Sequence, residues 1–151
     1  MNSFHLGLVS QYCDGVDKYH VHVSNKWKNR TGYRQTLPCP PVPDGDYGVY
    51  ALDTEMVYTQ VGLELARVTV VDCNNEVVYD TFVRPDTKVI DFNTRFSGIT
   101  AKDMDGVTTT IRDVQAVLLR LFAEETILIG HSLECDLTAV KVILNFMTFS
   151  Y

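Results

Sequence analysis

The sequence predicts an α/β fold: a mixed sheet in the order βββαβα, antiparallel at one edge and parallel in its interior. Three observations lead there. Residues 48–55 form an apolar, β-prone run, and residues 63–72 and 76–84 repeat that character on either side of a tight Cys73-Asn74-Asn75 turn. An amphipathic helical stripe follows at residues 111–123. It leads into the short apolar run 126–130, of the kind that parallel sheets bury.

Each element has a local reason. Pro85-Asp86 stops the third strand, and a loop over 87–100 carries Asp91-Phe92-Asn93-Thr94-Arg95-Phe96-Ser97-Gly98. Thr110 is an N-cap with Asp113 three residues on, a variant of the capping box. Ile111, Val114, Leu118, Leu121 and Phe122 then make the buried stripe of that helix. Leu133, Leu137, Val140, Leu144 and Met147 carry a last helical stripe from near Ser132 to residue 147.

The opening of the chain has a different character. Residues 18–34 contain five basic residues and no acidic one, with Tyr19, Trp27 and Tyr33 interleaved. Such a segment suits a phosphate backbone with rings for stacking, or is a solvated extension. Pro38, Pro40, Pro41 and Pro43, followed by Asp44-Gly45-Asp46, read as an extended linker ending in a turn. A boundary is therefore expected near residue 45, between a basic, proline-rich extension (1–45) and a folded domain (46–151). Cys13, His20 and His22 would form part of a zinc site if His5 or Cys39 completed it; a stray cysteine and an extended His-Val-His are the alternative.

Composition bounds the function. At 151 residues and 46% hydrophobic, the chain suffices for one core. A net charge of −6 argues against holding nucleic acid by global charge alone. The N-terminus lacks the basic start of a signal peptide, and no apolar run approaches the ~20 residues of a bilayer span, so no membrane partner is expected. Four cysteines without CxxC spacing read as reduced thiols of an intracellular protein.

Chemistry concentrates in Val49-Tyr50-Ala51-Leu52-Asp53-Thr54-Glu55-Met56. Alternation along a strand puts Asp53 and Glu55 on one face. Two neighbouring carboxylates in an apolar strand repel each other and resist desolvation unless a cation sits between them. Asp-x-Glu alone is weak, since Asp44-x-Asp46 and Asp103-x-Asp105 share the spacing in loops; the strand setting is what singles it out. Asp136 adds a third acid. It lies three residues after Leu133 and four before Val140, beside the apolar stripe of its helix. Three such oxygen donors suit Mg2+ or Mn2+, and paired ions can hold both oxygens of a phosphodiester displacement. Salt bridges to residues such as Arg67 or Lys141 are the competing explanation.

From about residue 47 to 143 the chain resembles the DEDD-type 3′–5′ exonucleases, and among them the RNA exonuclease 1 homologue (GOR-like) family. The similarity runs through Val49 to Met56, Gly62 to Asp72, Asp91 to Thr100 and Ile127 to Leu137. It implies a ribonuclease H-like fold, Asp53, Glu55 and Asp136 as catalytic metal ligands of a two-metal Mg2+ or Mn2+ site, and Met56 and Asn93 near the terminal ribose. It also implies RNA 3′ ends as substrate, single-stranded DNA as a further candidate, and a nuclear location. The family draws a general-base histidine and a fourth acid from a third motif downstream. No His, Asp or Glu follows Lys141 in this chain. The domain is therefore read as C-terminally truncated and its catalysis as weak or absent, with a non-catalytic nucleic-acid- or protein-binding relative as the alternative. His131, at the second motif, is expected to serve structure rather than to replace the base.

Overall fold

The computed structural model describes residues 30–144 and 148–150. His5, Cys13, His20 and His22, and the basic stretch up to residue 29, lie outside the described residues, as does Met147.

The sheet is built outward from β2 (Val49–Thr59). A two-residue connection turns it into antiparallel β3 (Gly62–Asp72), with Gly62 at φ 117° where a side chain would be strained. The expected turn joins β3 to β4 (Val77–Phe82). Asp72 organises it by accepting at Oδ1 from the amides of Asn74 and Glu76, both at 2.9 Å, while Asn75 takes a left-handed conformation. On its other flank β2 pairs in parallel with β6 (Ile127–Gly130), and β8 (Thr148–Ser150) adds a further parallel strand. The order is thus β4-β3-β2-β6-β8, with β5 (Val89–Asp91) antiparallel to the far end of β2. The predicted antiparallel edge and parallel interior are both present.

Three helices accompany the sheet. α1 (Thr94–Ser97) is a single turn closed by Gly98 at φ 68°. α2 (Ile111–Leu121) starts on the expected capping box: Asp113 Oδ2 accepts from the amide and hydroxyl of Thr110 at 2.8 and 2.7 Å. α3 (Leu133–Val140) follows β6 almost without a loop. Gly130 makes that junction possible, since a Cβ there would stand 2.8 Å from Leu133 Cδ1 and 3.0 Å from the Leu52 carbonyl. Leu52, Val68, Val70 and Leu128 of the sheet pack against Val114 and Leu118 of α2, its C-cap Phe122, and Leu133, Leu137 and Val140 of α3.

The last helix is shorter than the apolar periodicity suggests. Lys141 adopts φ 53° and closes α3, and Val142–Ile143 form β7 instead. The reason is tertiary: β7 pairs in parallel with β1 (Arg34–Gln35), so Val142, Ile143 and Leu144 are buried consecutively rather than on one helical face. The proline-rich stretch is extended, as expected, and it is also bound to the fold. Thr36 N–H donates to the Ile143 carbonyl at 3.0 Å, the Glu124 amide to the Leu37 carbonyl at 2.9 Å, and the Cys39 amide to Glu125 at 3.0 Å.

Gln115 fastens this strap from below. It is buried, and Nε2 donates to the carbonyls of Gly32, Val140 and Lys141 at 2.9, 3.0 and 3.1 Å. Removing the amide takes the side-chain donor from the buried Val140 carbonyl. Gln115→Leu is expected to cost about 1–3 kcal/mol despite its greater hydrophobicity, read as a lower urea midpoint at unchanged slope.

Candidate metal and nucleic-acid site

Asp53 and Glu55 sit on the sheet face opposite the two long helices, because β2 alternates and its even-numbered neighbours Leu52 and Thr54 are buried toward the core side. Across the ladder, Asp53 stands beside Thr69, and Thr69 beside Asp80; Glu55 stands beside Arg67. These neighbours form a polar row. Asp80 accepts from Arg67 Nε and Nη2 at 2.8 and 2.7 Å and from Thr69 Oγ1 at 3.2 Å, while the guanidinium lies 5.3 Å over the Phe82 ring. Arg67 is held above its ordinary pKa chiefly by Asp80, and further by the charges of Glu55 and Asp53. The fork geometry thus gives Arg67 to Asp80, although its field reaches both acids of β2.

Asp136 comes to the same strand from α3. It is 6% exposed, and its Oδ1 accepts two hydrogen bonds from Thr54: the amide at 2.9 Å and the hydroxyl at 2.7 Å. The backbone explains the first. β6 pairs with β2 only along Val49, Tyr50 and Ala51 and ends at Gly130. Thr54 lies past that ladder, and its amide takes a side-chain acceptor instead of a strand partner. Burial pushes the Asp136 carboxyl up to about 6 against the lowering effect of the Thr54 hydroxyl, and the charge of Asp53 pushes it the same way. The three acids are therefore arranged around one short segment of β2, with Asp53 and Asp136 in electrostatic reach of each other.

They do not converge fully. Among the described residues no group of three or more His, Cys, Asp or Glu side chains stands close enough to hold one ion. Like charges at close range repel, and Asp136 is turned toward Thr54.

Met56 follows a β-bulge between Glu55 and Met56, which turns it out of strict alternation. It lines a groove of about 640 Å³ with Leu65, Arg84, Cys135, Leu137 and Lys141. Asn93 is elsewhere: it caps α1 at φ 53°, its amide on Asp91 Oδ1 at 2.8 Å, and is not among the lining residues of that groove. His131 follows β6 and is exposed. Thr54 is the residue that motif reading passes over. A threonine in a strand looks like ordinary β-propensity, and only the early end of β6 shows why its amide is available.

Comparison with known proteins places these residues in a wider setting. Residues 50–146 match the family profile described as exonuclease. The chain is 55% identical over 128 residues to the human RNA exonuclease 1 homolog, which covers 85% of this chain and 10% of that protein. It is 52% identical over 148 residues to exonuclease GOR of Pan troglodytes, covering 91% of this chain and 21% of that protein. The chain thus spans about a tenth to a fifth of the length of these curated relatives. Among solved structures, the Neurospora crassa Pan2 catalytic unit aligns with a TM-score of 0.58 at 20% identity, over 82% of this chain and 22% of that one. The Saccharomyces cerevisiae Pan2 module in complex with AAGGA RNA aligns with a TM-score of 0.56 at 18% identity, over 78% and 24%. These last two likenesses show a shared fold.

Proposed function

We propose, from the premise that this chain belongs to the exonuclease family and to its RNA exonuclease 1 branch, that Asp53, Glu55 and Asp136 hold divalent metal at the 3′ end of an RNA strand. The observation that carries this reading is the buried carboxylate of Asp136, bonded to the residue between Asp53 and Glu55. A buried acid beside a like charge is costly, and a cation offsets both terms. The donors are all carboxylate oxygens, the chemistry that Mg2+ and Mn2+ prefer. Asp53 and Glu55 are half-buried, and the charge of Asp53 reaches Asp136. Bound there, such ions would lower the pKa of an attacking water and neutralise charge on the scissile phosphate.

The protein's own contribution is to hold the donors and the strand end. β2 fixes Asp53 and Glu55 at a two-residue spacing, and α3 delivers Asp136. The groove beside Met56 would take part of the terminal nucleotide; Asn93 lies outside its lining, so a contact of Asn93 with the sugar would need a strand that runs on to the N-cap of α1. We also infer a nuclear location and intact binding of single-stranded DNA as a competitor. The three acids do not supply a general base, a contribution of roughly 10²–10⁴ in rate. The 151-residue polypeptide on its own is accordingly expected to hydrolyse RNA slowly.

A 5′-labelled single-stranded RNA tests this. With Mn2+ it is expected to shorten gradually from its 3′ end, and EDTA or Asp53→Ala is expected to stop the shortening. RNA that binds and never shortens would favour the non-catalytic relative instead.

A further inference from the structure

We infer that the exposed ring of Phe96 is a stacking platform for an unpaired nucleobase, with the charge of Arg95 beside it. The inference rests on the RNA reading above and needs no bound metal. The sheet sets where the ring stands. Arg67, the cross-strand partner of Glu55, lies over Phe82, and Phe82 packs against a buried cluster of Val57, Ala66 and Ile99. That cluster therefore continues the face of Asp53 and Glu55 past the bulge. Val57 is two residues beyond Glu55, about 7 Å along β2. Phe92 packs on the same cluster, so the segment 92–99, with α1 at its centre, lies against the acids' face just beyond Glu55.

Within that segment the side chains are sorted by a pinned turn. Ser97 Oγ donates to the Phe92 carbonyl at 2.8 Å and accepts from the Ile99 amide at 3.0 Å, and Thr94 Oγ1 donates to the Ile99 carbonyl at 2.6 Å. Ile99 and Ser97 are buried, while Phe96 is 75% exposed. One exposed apolar side chain is ordinary on a protein surface. Two contacts distinguish this one. The Arg95 guanidinium lies 5.6 Å from the ring centroid, within cation–π range. The Phe96 amide donates to the Asn93 carbonyl at 2.8 Å, so a strand that reaches Asn93 also reaches the ring. Two acids of the same loop are already engaged, Asp91 by the Asn93 amide and Asp103 by Thr100. A chain of net charge −6 cannot rely on global charge to hold RNA, and base–aromatic stacking reinforced by arginine is a term that does not need it.

Phe96→Leu keeps an apolar side chain and removes the π face; Phe96→Trp enlarges that face. A 5′-fluorescein single-stranded RNA is titrated with the 151-residue chain in EDTA, where no hydrolysis intervenes, and read by fluorescence anisotropy. Phe96→Leu is expected to raise the Kd about 5–150-fold, the loss of one base–aromatic stack, and Phe96→Trp to bind within about threefold of wild type. On a strand of abasic spacers of equal length, Phe96→Leu and wild type are expected to bind alike. The side chain is exposed, so both variants are expected to melt with wild type, which the same samples report. An unchanged Kd in Phe96→Leu, or an equal loss on the abasic strand, would overturn the platform. Failure of the wild-type chain to bind RNA would overturn the RNA reading, and the platform with it, and is distinguishable because it needs no variant.

Discussion

Asp136→Asn is expected to raise the melting temperature of the metal-free chain at pH 7.5 by several degrees while abolishing any further rise on adding Mn2+. The folded carboxyl titrates at about 6 against an ordinary 3.8, mainly because it is buried. A raised pKa means that the folded state binds the proton more tightly than the unfolded chain. The stabilising contribution is therefore complete below pH 3.8 and is lost as pH rises through about 6. Above that, holding the charge costs on the order of 3 kcal/mol. Asn keeps an oxygen to accept from Thr54 and carries no charge, so it recovers much of this. For a chain of this size each kcal/mol moves the melting temperature roughly 2–4 °C. The same shift predicts that metal-free wild type melts higher at pH 5 than at pH 7.5, with the difference largely gone in Asp136→Asn. Asp80 and Asp113, held low chiefly by Arg67 and by Thr110, lose their contributions only at more acidic pH and do not obscure that window. Calorimetric scans at the two pH values, with EDTA or Mn2+, check each part; a metal-free variant that melts below wild type at pH 7.5 would contradict the assignment.

Asp53→Asn is expected to weaken Mn2+ binding about 10³-fold and, in the metal-free chain, to lower the Asp136 pKa by removing the neighbouring charge. A carboxylate ligand to a divalent ion contributes several kcal/mol, and each 1.4 kcal/mol is a factor of ten. The second effect has the opposite sign for stability: the metal-free variant gains, because Asp136 ionises at less cost. Isothermal titration calorimetry measures the first effect, and the carboxyl 13C shift of Asp136 against pH measures the second. An unchanged Asp136 titration would mean that the two acids do not sense each other.

Local chemistry made much of this fold readable in advance. Alternation in residues 48–55 disclosed β2, Cys73-Asn74-Asn75 the hairpin turn, and Thr110 with Asp113 the start of α2. Asp136 was visible because it adjoins the stripe of Leu133, Leu137 and Val140, all of which are buried. What escaped was either short or distant. β5 and α1 have three and four residues, too few for any period to register. The end of α3 escaped for a different reason: Leu144 continues the helical stripe, and only the pairing of β7 with Arg34–Gln35, from the far end of the chain, turns Val142 and Ile143 into a strand. The role of the Thr54 amide depends on where β6 stops relative to β2, a comparison between two strands that neither segment contains.

A cation shared by acids from β2 and α3 couples their contributions to binding, and a double-mutant cycle on Mn2+ affinity measures that coupling. Asp53→Asn, Asp136→Asn and the double variant are titrated in parallel by electron paramagnetic resonance. Ligands of one ion predict strong non-additivity, the double variant losing little more than either single one. Losses that simply multiply, or singles that bind Mn2+ as tightly as wild type, would contradict it.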